Sequence, residues 1–284
     1  MCSAKVKKTF MNYIMDMDGV LYRGGEPLPG AKEFLFELRK RGYNVVFMSN
    51  NSAPTRWQYI EKLRGMGIEA SEKEIITSSL IAASYLKQKC SSARLFVIGE
   101  EGLREELARA NLEIIDDPSQ LHGVDYVVVG MDREFTYYKM RIAMRCILDG
   151  AGFIGTNPDP SFPEESGLAP GAGALIAAIE KASGVTPRIL GKPCKEALEL
   201  LLAITGFQRD TTMVVGDRLD TDIAMARDAG MFSVLVLTGV TQENFIGNNI
   251  NGPDSIVGNL WELQERLGWQ VINGNRGTQP GKER

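Results

Sequence analysis

The sequence predicts an α/β protein built around a doubly wound parallel β-sheet with helices on both faces. Apolar runs of strand length alternate with segments of helical spacing along most of the chain, and this alternation is typical of parallel sheets. Some runs, such as YNVVFM at 43–48, are apolar at all but one position, as expected for strands covered on both faces. With 284 residues, the chain is long enough for more than one average domain.

The first third of the chain predicts two strand–helix pairs. The run NYIMDM predicts a strand over 12–17, and apolar residues at helical spacing predict a helix over 30–41 that Gly42 ends. A second strand follows at 43–48. A second helix follows at 54–66, because Pro54 favours its start and glycines follow it.

The remaining chain continues the same alternation. The predicted strands are 94–98, 125–130, 152–156, 187–191, 212–216 and 233–237, and the predicted helices are 101–110, 136–149, 173–183, 194–205 and 220–229. The segment NPDPSFPEESGLAPGAG, which begins at Asn157, is rich in Pro and Gly and predicts a long loop. The polar, Gly-rich residues 273–284 predict a disordered tail.

Composition excludes several function classes. The apolar fraction of 44% supports a proper core, and the net charge of −4 does not suggest a nucleic-acid surface. No apolar run approaches the ~20 residues that span a bilayer, and the N-terminus lacks a secretory signal, so we expect a cytoplasmic protein. The four cysteines are dispersed, which argues against a zinc site or a disulfide framework.

Four of the predicted strands end abruptly in polar residues. Ligands of open α/β sheets bind at the carboxyl ends of the strands. If these four ends converge, they place three carboxylates, a lysine, a hydroxyl and an amide in one crevice. The four ends read DMDG at 16–19, SNN at 49–51, GKP at 191–193 and GDR at 216–218.

This set of side chains predicts a metal and a phosphate. Asp16 and Asp18 leave the same face of an extended chain, so both stay ionised only beside a cation. Asp217 adds a third carboxylate, and hard oxygen ligands of this kind suit Mg²⁺. Lys192 can neutralise a nucleophilic carboxylate and phosphate oxygens, and Ser49 with the N–H groups after it can bind phosphoryl oxygens.

The four motifs together resemble those of the haloacid dehalogenase superfamily of phosphotransferases. The matching residues are DMDGVL at 16–21, Ser49 in VVFMSNNS, Lys192 in ILGKP and GDRLDTD at 216–222. The segments SNNS, TNPD at 156–159, PGAG at 170–173 and GKP resemble the subgroup of NagD and the 4-nitrophenylphosphatase-like enzymes. The resemblance covers roughly residues 11 to 270.

The resemblance implies a role for each motif residue. Asp16 is expected to attack phosphorus and form an aspartyl phosphate, and Asp18 to serve as general acid and then as base. Mg²⁺ is expected on Asp16, the backbone carbonyl of Asp18 and Asp217, with Asp222 behind these ligands. The residues expected to bind the phosphoryl group are Ser49, Asn50, Asn51 and Lys192.

The resemblance also implies an α/β cap domain inserted between Ser49 and Lys192. We place the cap at 82–184 and the core at 1–81 plus 185–272. The cap loop that begins at Asn157 is expected to face the active site, with Phe162 and Glu164 against the leaving group. Arg23, just after the first motif, is a further candidate for holding an anionic or sugar-like substrate.

The expected activity is Mg²⁺-dependent hydrolysis of small phosphate monoesters. Candidate substrates are sugar phosphates, nucleotides and similar metabolites, with aryl phosphates turned over in vitro. The alternatives are a phosphomutase and a non-catalytic phosphate-binding regulator on the same fold. The expected partner is a small-molecule phosphate ester, with no nucleic acid and no membrane, and the resemblance allows a homodimer through the cap.

Overall fold

The computed structural model describes residues 9–120, 122–164, 167–242 and 252–269. The predicted tail at 273–284 lies outside these residues. The strands are β1 (Asn12–Met15), β2 (Tyr22–Arg23), β3 (Glu26–Pro27), β4 (Asn44–Ser49), β5 (Ile75–Thr77), β6 (Arg94–Ile98), β7 (Glu113–Ile114), β8 (Tyr126–Val129), β9 (Gly152–Gly155), β10 (Ser161–Glu164), β11 (Gly167–Pro170), β12 (Arg188–Ile189), β13 (Thr212–Gly216), β14 (Phe232–Val236) and β15 (Ser255–Val257).

Helices separate most of these strands, and every helix and strand that the sequence predicts is present with its ends shifted by a few residues. The α-helices are α1 (Ala31–Lys40), α2 (Arg56–Gly65), α3 (Ser78–Lys89), α4 (Glu101–Arg109), α5 (Tyr137–Leu148), α6 (Ala172–Ser183), α7 (Lys195–Thr205), α8 (Ala224–Asp228) and α9 (Leu260–Arg266). No helix in the described ranges is long and apolar enough to cross a membrane.

The larger sheet has six parallel strands in the order β15-β14-β13-β1-β4-β5. The first strand of the chain lies inside this sheet, between β13 and β4, so later strands are added on both sides of it. This order is that of a doubly wound sheet, as the sequence predicts. The carboxyl ends of β1, β4 and β13 therefore lie side by side.

The second sheet has five parallel strands in the order β12-β9-β8-β6-β7. Strand β12 belongs to it, because Arg188 and Ile189 pair with Ile154 and Gly155 of β9. The four polar strand ends therefore come from two sheets, because Lys192 follows a strand of the second sheet. Strand β12 also lies beyond residue 184, where the sequence places the end of the cap, and the division into core and cap stays a prediction.

A continuous apolar cluster joins the two sheets. Strand β1 turns Tyr13 and Met15 into the cluster on one face of the larger sheet and Ile14 into the cluster on the other face, which is the alternation expected of a strand. The cluster that contains Ile14 also contains Leu95 and Val128 of the second sheet. Helix α3 lies between the sheets and contacts both α4 and α7.

Three local features differ from the prediction. Strand β1 ends at Met15 rather than at residue 17, because the chain turns there and Leu21 N donates to Met17 O at 2.8 Å. The segment predicted as a long loop contains the antiparallel pair β10 and β11. The predicted helix at 220–229 begins as a π-helical turn, Leu219–Ile223, before α8.

Candidate active site

Lys192 lies at the centre of the site and joins three parts of the chain. Its Nζ hydrogen-bonds to Asp16 Oδ1, to Asp222 Oδ1 at 2.6 Å and to the backbone oxygen of Met48 at 3.3 Å. Only 3% of its side chain is exposed. Burial alone would lower the pKa of Lys192, but the charges of Asp16 and Asp222 raise it above its usual value, so the lysine is held as a cation.

The carboxylates around Lys192 carry more negative charge than it neutralises. Burial raises the pKa of Asp16 well above its usual value, Lys192 opposes the rise, and the charges of Asp222 and Asp217 add to it. Burial and the charge of Asp222 raise the pKa of Asp217 to about 6. The three side chains therefore repel one another, as expected where a further cation is to be bound.

Backbone N–H groups hold Asp217 in place, and a glycine gives its carboxylate room. Its Oδ2 accepts a hydrogen bond from Val240 N at 2.6 Å, and its backbone oxygen accepts one from Thr241 N at 3.2 Å. Gly19 has a φ of +83°, and a Cβ at this position would stand 2.5 Å from Asp217 Oδ2. The glycine of the DMDG motif is therefore needed both for its backbone conformation and for the close approach of this carboxylate.

The donor set fits a hard divalent cation. Asp16 and Asp217 supply two carboxylates beside the backbone of the DMDG turn, and oxygen ligands of this type suit Mg²⁺ or Ca²⁺. No group of three His, Cys, Asp or Glu side chains is close enough to hold a metal within the described part of the chain. The predicted set needs none, because its third ligand is the backbone carbonyl of Asp18.

Asp18 lies at the mouth of the site, apart from Asp16. It follows the end of β1, forms an isolated bridge with Tyr22 and is exposed. Partial burial raises the pKa of its carboxyl above the usual value, against the charges of Lys62 and Arg23. Asp18 borders a recess of about 270 Å³, whose lining residues include Ser49, Asn51, Tyr22, Tyr59 and Lys62.

Ser49 and Asn51 reach this recess from the end of β4. The hydroxyl of Ser49 is 3.0 Å from the hydroxyl of Tyr59 on α2, and it accepts a hydrogen bond from Asn51 N at 3.2 Å. Asn51 Oδ1 accepts from Ala53 N at 3.0 Å, which is the local bond expected of an asparagine in a turn. Both predicted phosphate-binding side chains therefore lie beside Asp18.

Asn50 points away from the recess and holds the backbone of Lys192. Its Oδ1 accepts from Lys192 N at 2.8 Å, and its Nδ2 donates to Lys192 O at 3.1 Å and to Asp159 Oδ2 at 3.0 Å. A side-chain amide has two N–H donors, and both are used here. The side-chain amide of Asn50 therefore has no N–H group free for the predicted contact with phosphate.

The TNPD segment, which follows β9 of the second sheet, hydrogen-bonds to the SNNS loop (residues 49–52). Asn157 Nδ2 donates to Asn50 O at 2.8 Å, and Thr156 Oγ1 is 3.3 Å from Ser52 Oγ. The sequence marked this segment as a motif without giving it a role. The neighbouring sequence does not indicate this role, because Asn157 and Asp159 are more than a hundred residues away from Asn50 along the chain.

Two other residues predicted to contact the substrate, Phe162 and Arg23, have partners elsewhere in the chain. Phe162 packs against the apolar cluster of the second sheet, with the guanidinium of Arg133 5.6 Å from its ring centroid. Glu164 lies in β10, and its side chain is outside the described part of the structure. Arg23 Nη2 donates to the backbone oxygen of Thr238 at 2.5 Å, which ties the arginine to the loop after β14.

We expect replacement of Asp159 by leucine to lower kcat about tenfold or more, because a small misplacement of Lys192 weakens its contacts in the transition state. Asp159→Asn is the matched control, since its Oδ1 can still accept the hydrogen bond from Asn50. Steady-state hydrolysis of 4-nitrophenyl phosphate by both variants provides the measurement. Equal kcat values for the leucine variant and the unchanged protein would show that this bond does not position Lys192.

Two family models match separate parts of the chain. The model for haloacid dehalogenase-like hydrolases matches residues 13–113, and a second, HAD-hydrolase-like model matches residues 189–263. An acid sugar phosphatase from Staphylococcus aureus (strain USA300) is 38% identical over 244 residues, which are 86% of this chain and 93% of that protein.

Solved structures of phosphatases have the same fold. The p-nitrophenyl phosphatase from Archaeoglobus fulgidus superposes with a TM-score of 0.85 and 36% identity, over 91% of this chain and 100% of that one. NagD from E. coli K-12 gives 0.82 and 31%, over 89% and 97%. A glycerol phosphate phosphatase from Mycobacterium tuberculosis, in complex with calcium, gives 0.81 and 32%, over 89% and 74%.

The chain belongs to the haloacid dehalogenase-like hydrolase family. The resemblance inferred from the four motifs is thereby confirmed. Within the family, the chain is a phosphatase of the NagD and 4-nitrophenylphosphatase type.

Proposed function

We propose that this chain is a Mg²⁺-dependent phosphomonoester hydrolase that acts through an aspartyl phosphate on Asp16. The observation that carries the proposal is the pair of contacts from Lys192 Nζ to Asp16 and Asp222, with Asp217 close by. Lys192 is thus a fixed cationic partner for the Asp16 carboxylate. The other two carboxylates leave surplus negative charge that a metal ion can balance. The phosphatase relatives support the same reaction class.

In the first half of the proposed reaction, a carboxylate oxygen of Asp16 attacks phosphorus and the bond to the leaving-group oxygen breaks. Asp18 gives its proton to that oxygen, so the leaving group departs as an alcohol. The raised pKa of Asp18 favours this role, because a general acid must hold its proton until the transition state. The products of this half are the alcohol, an aspartyl phosphate and the Asp18 carboxylate.

In the second half, water attacks the phosphorus of the aspartyl phosphate. Asp18 takes a proton from the water, the bond from phosphorus to Asp16 breaks, and inorganic phosphate leaves. Lys192 holds Asp16 in place and stabilises negative charge on the phosphoryl oxygens. The hydroxyl of Ser49 and the N–H groups of the SNNS loop bind the same oxygens.

Asp16, the backbone carbonyl of Asp18 and Asp217 would hold Mg²⁺, with Asp222 behind them. When bound, the ion supplies positive charge that lets the carboxylates and the phosphate share one site. Two findings support a metal here: the pKa of Asp217, which burial and then the charge of Asp222 raise, and the calcium in a similar phosphatase structure.

The proposed substrates are small phosphorylated metabolites such as sugar phosphates or nucleotides, and aryl phosphates in vitro. The named relatives act on sugar phosphate, p-nitrophenyl phosphate and glycerol phosphate, which supports this class. The homodimer through the cap and the cytoplasmic location stay predictions. A phosphomutase would return the phosphoryl group to a sugar hydroxyl, and a regulator would release no phosphate, so product analysis separates both from a hydrolase.

Removing the metal tests the proposal directly. We expect release of 4-nitrophenol and inorganic phosphate with Mg²⁺, a fall to background in EDTA, and recovery when Mg²⁺ is added back. Phosphate release is also measured with a panel of sugar phosphates and nucleotides, because a phosphatase can reject an aryl leaving group and still hydrolyse other esters. Activity that survives EDTA and exhaustive dialysis would exclude the Mg²⁺ requirement, and no phosphate from any ester would exclude the hydrolase.

A further inference from the structure

Three polar side chains of the recess beside Asp18 are already engaged with other protein groups. Gln58 accepts from Thr55 N at 2.8 Å and donates to Glu101 Oε2 at 3.1 Å, and the hydroxyls of Tyr59 and Ser49 are paired with each other. These groups fix the wall of the recess. They leave little hydrogen-bonding capacity for a leaving group that enters it.

Lys62 is a charged side chain that is not engaged in this way. It is the cation among the described residues that line the recess, and its Nζ lies 4.0 Å from the centroid of the Tyr22 ring. Within the described ranges, no carboxylate oxygen lies within 4.0 Å of this Nζ. Its side chain is exposed at the mouth, and the contact with Tyr22 holds the ammonium beside the opening.

Arg23, the neighbouring cation, is already hydrogen-bonded within the chain. Arg23 follows Tyr22 in the chain, but its guanidinium donates to the backbone oxygens of Thr238 and Gly239. Among the described residues, Lys62 therefore remains the cation that an anionic leaving group can approach in this recess. A leaving group without charge can accept a hydrogen bond from this lysine but gains less than an anion does.

We propose that Lys62 is a specificity-determining residue that binds a carboxylate on the leaving group of the substrate. The preferred esters are then phosphorylated hydroxy acids. A carboxylate fits better than a second phosphate, because one ammonium balances one negative charge and a phosphate carries about 1.5 to 2. The recess of about 270 Å³ favours a short leaving group. This proposal rests on the proposed function and adds a substrate class to it.

The test compares two competitors of similar size that differ at one carbon. Inhibition of 4-nitrophenyl phosphate hydrolysis is measured with 3-phosphoglycerate, which has a carboxylate, and with glycerol 3-phosphate, which has a hydroxymethyl group there. In the unchanged protein, we expect 3-phosphoglycerate to have the lower inhibition constant. In Lys62→Met, we expect its inhibition constant to rise about tenfold, the effect of losing a charge-assisted hydrogen bond, and that of glycerol 3-phosphate to change less than about twofold.

The ratio of the two inhibition constants is taken within each variant, so a uniform loss of activity does not affect it. Lys62→Arg keeps the charge and should keep most of the preference. Lys87→Met removes a lysine of α3 that does not line the recess and controls for net charge. Equal changes for both competitors, or no preference in the unchanged protein, would overturn the proposal while leaving the phosphatase intact. No release of 4-nitrophenol or phosphate by the unchanged protein with Mg²⁺ would overturn both.

Discussion

Replacement of Asp16 by asparagine is expected to abolish phosphate release, with a fall in kcat of about a thousandfold or more, as for removal of other catalytic nucleophiles. An amide keeps the shape of the carboxylate and can still accept a hydrogen bond from Lys192, but it is a poor nucleophile toward phosphorus. Steady-state hydrolysis of 4-nitrophenyl phosphate with Mg²⁺ provides the measurement. Substantial residual turnover would remove Asp16 as the nucleophile.

The same substitution is expected to leave the fold as stable as before, or more stable, in the absence of metal. The pKa of Asp16 is raised in the folded chain, so at neutral pH its ionised form is disfavoured relative to the unfolded chain. The neutral amide removes that cost, and Asp222 still pairs with the charge of Lys192. Urea unfolding in EDTA checks this expectation, and Asp220→Asn is the control, because Asp220 is exposed and pairs with Arg218. A large loss of stability would mean that the lost activity reports unfolding rather than chemistry.

Replacement of Lys192 by alanine is expected to lower kcat about a hundredfold or more and also to destabilise the fold. The lysine is the buried partner of Asp16 and Asp222, and removal of one partner from a buried ion pair costs about 3–5 kcal/mol. Here Asp217 adds to the repulsion that remains. We expect Mg²⁺ to restore part of the stability, because a cation at the carboxylates replaces some of the missing charge.

Lys195→Ala is the control for this prediction. Lys195 is exposed at the start of α7, three residues after Lys192, so its loss removes the same charge without touching the site. Urea unfolding with and without Mg²⁺, together with kcat and KM, separates the two effects. If Lys192→Ala kept nearly all of its activity, the lysine would be a structural residue only.

The alternation of apolar and amphipathic segments predicted the fold class because it shows which residues of each segment are buried. The pattern cannot say which sheet a strand joins. The run before Lys192 looks like the run before Asp217, yet β12 pairs in the second sheet and β13 in the first. The hairpin of β10 and β11 was missed because its Pro and Gly content is that of a loop, and antiparallel pairing of two short strands still occurs there.

Much of the candidate site was predictable because each motif ends a strand. Asp16, Ser49 and Asp217 come together for that reason, and Lys192 reaches them from the other sheet. The support for the lysine was not predictable. Asn50 was expected to bind phosphate, whereas its side chain bonds to the backbone of Lys192 and to Asp159. Such contacts depend on how the two sheets pack, which no local pattern encodes.

In the proposed mechanism, phosphorus becomes bonded to Asp16, and this species can be trapped and identified. Asp18→Asn with 4-nitrophenyl phosphate is suited to this, because a good leaving group needs no acid while hydrolysis of the intermediate still needs the base. Acid quenching within the first turnover, followed by peptide mass spectrometry, locates the phosphoryl group. We predict phosphorylation of the peptide that contains Asp16, at the aspartate itself. A phosphoryl group on Ser49, or release of 4-nitrophenol in the first turnover with no phosphorylated peptide, would exclude Asp16 as the nucleophile.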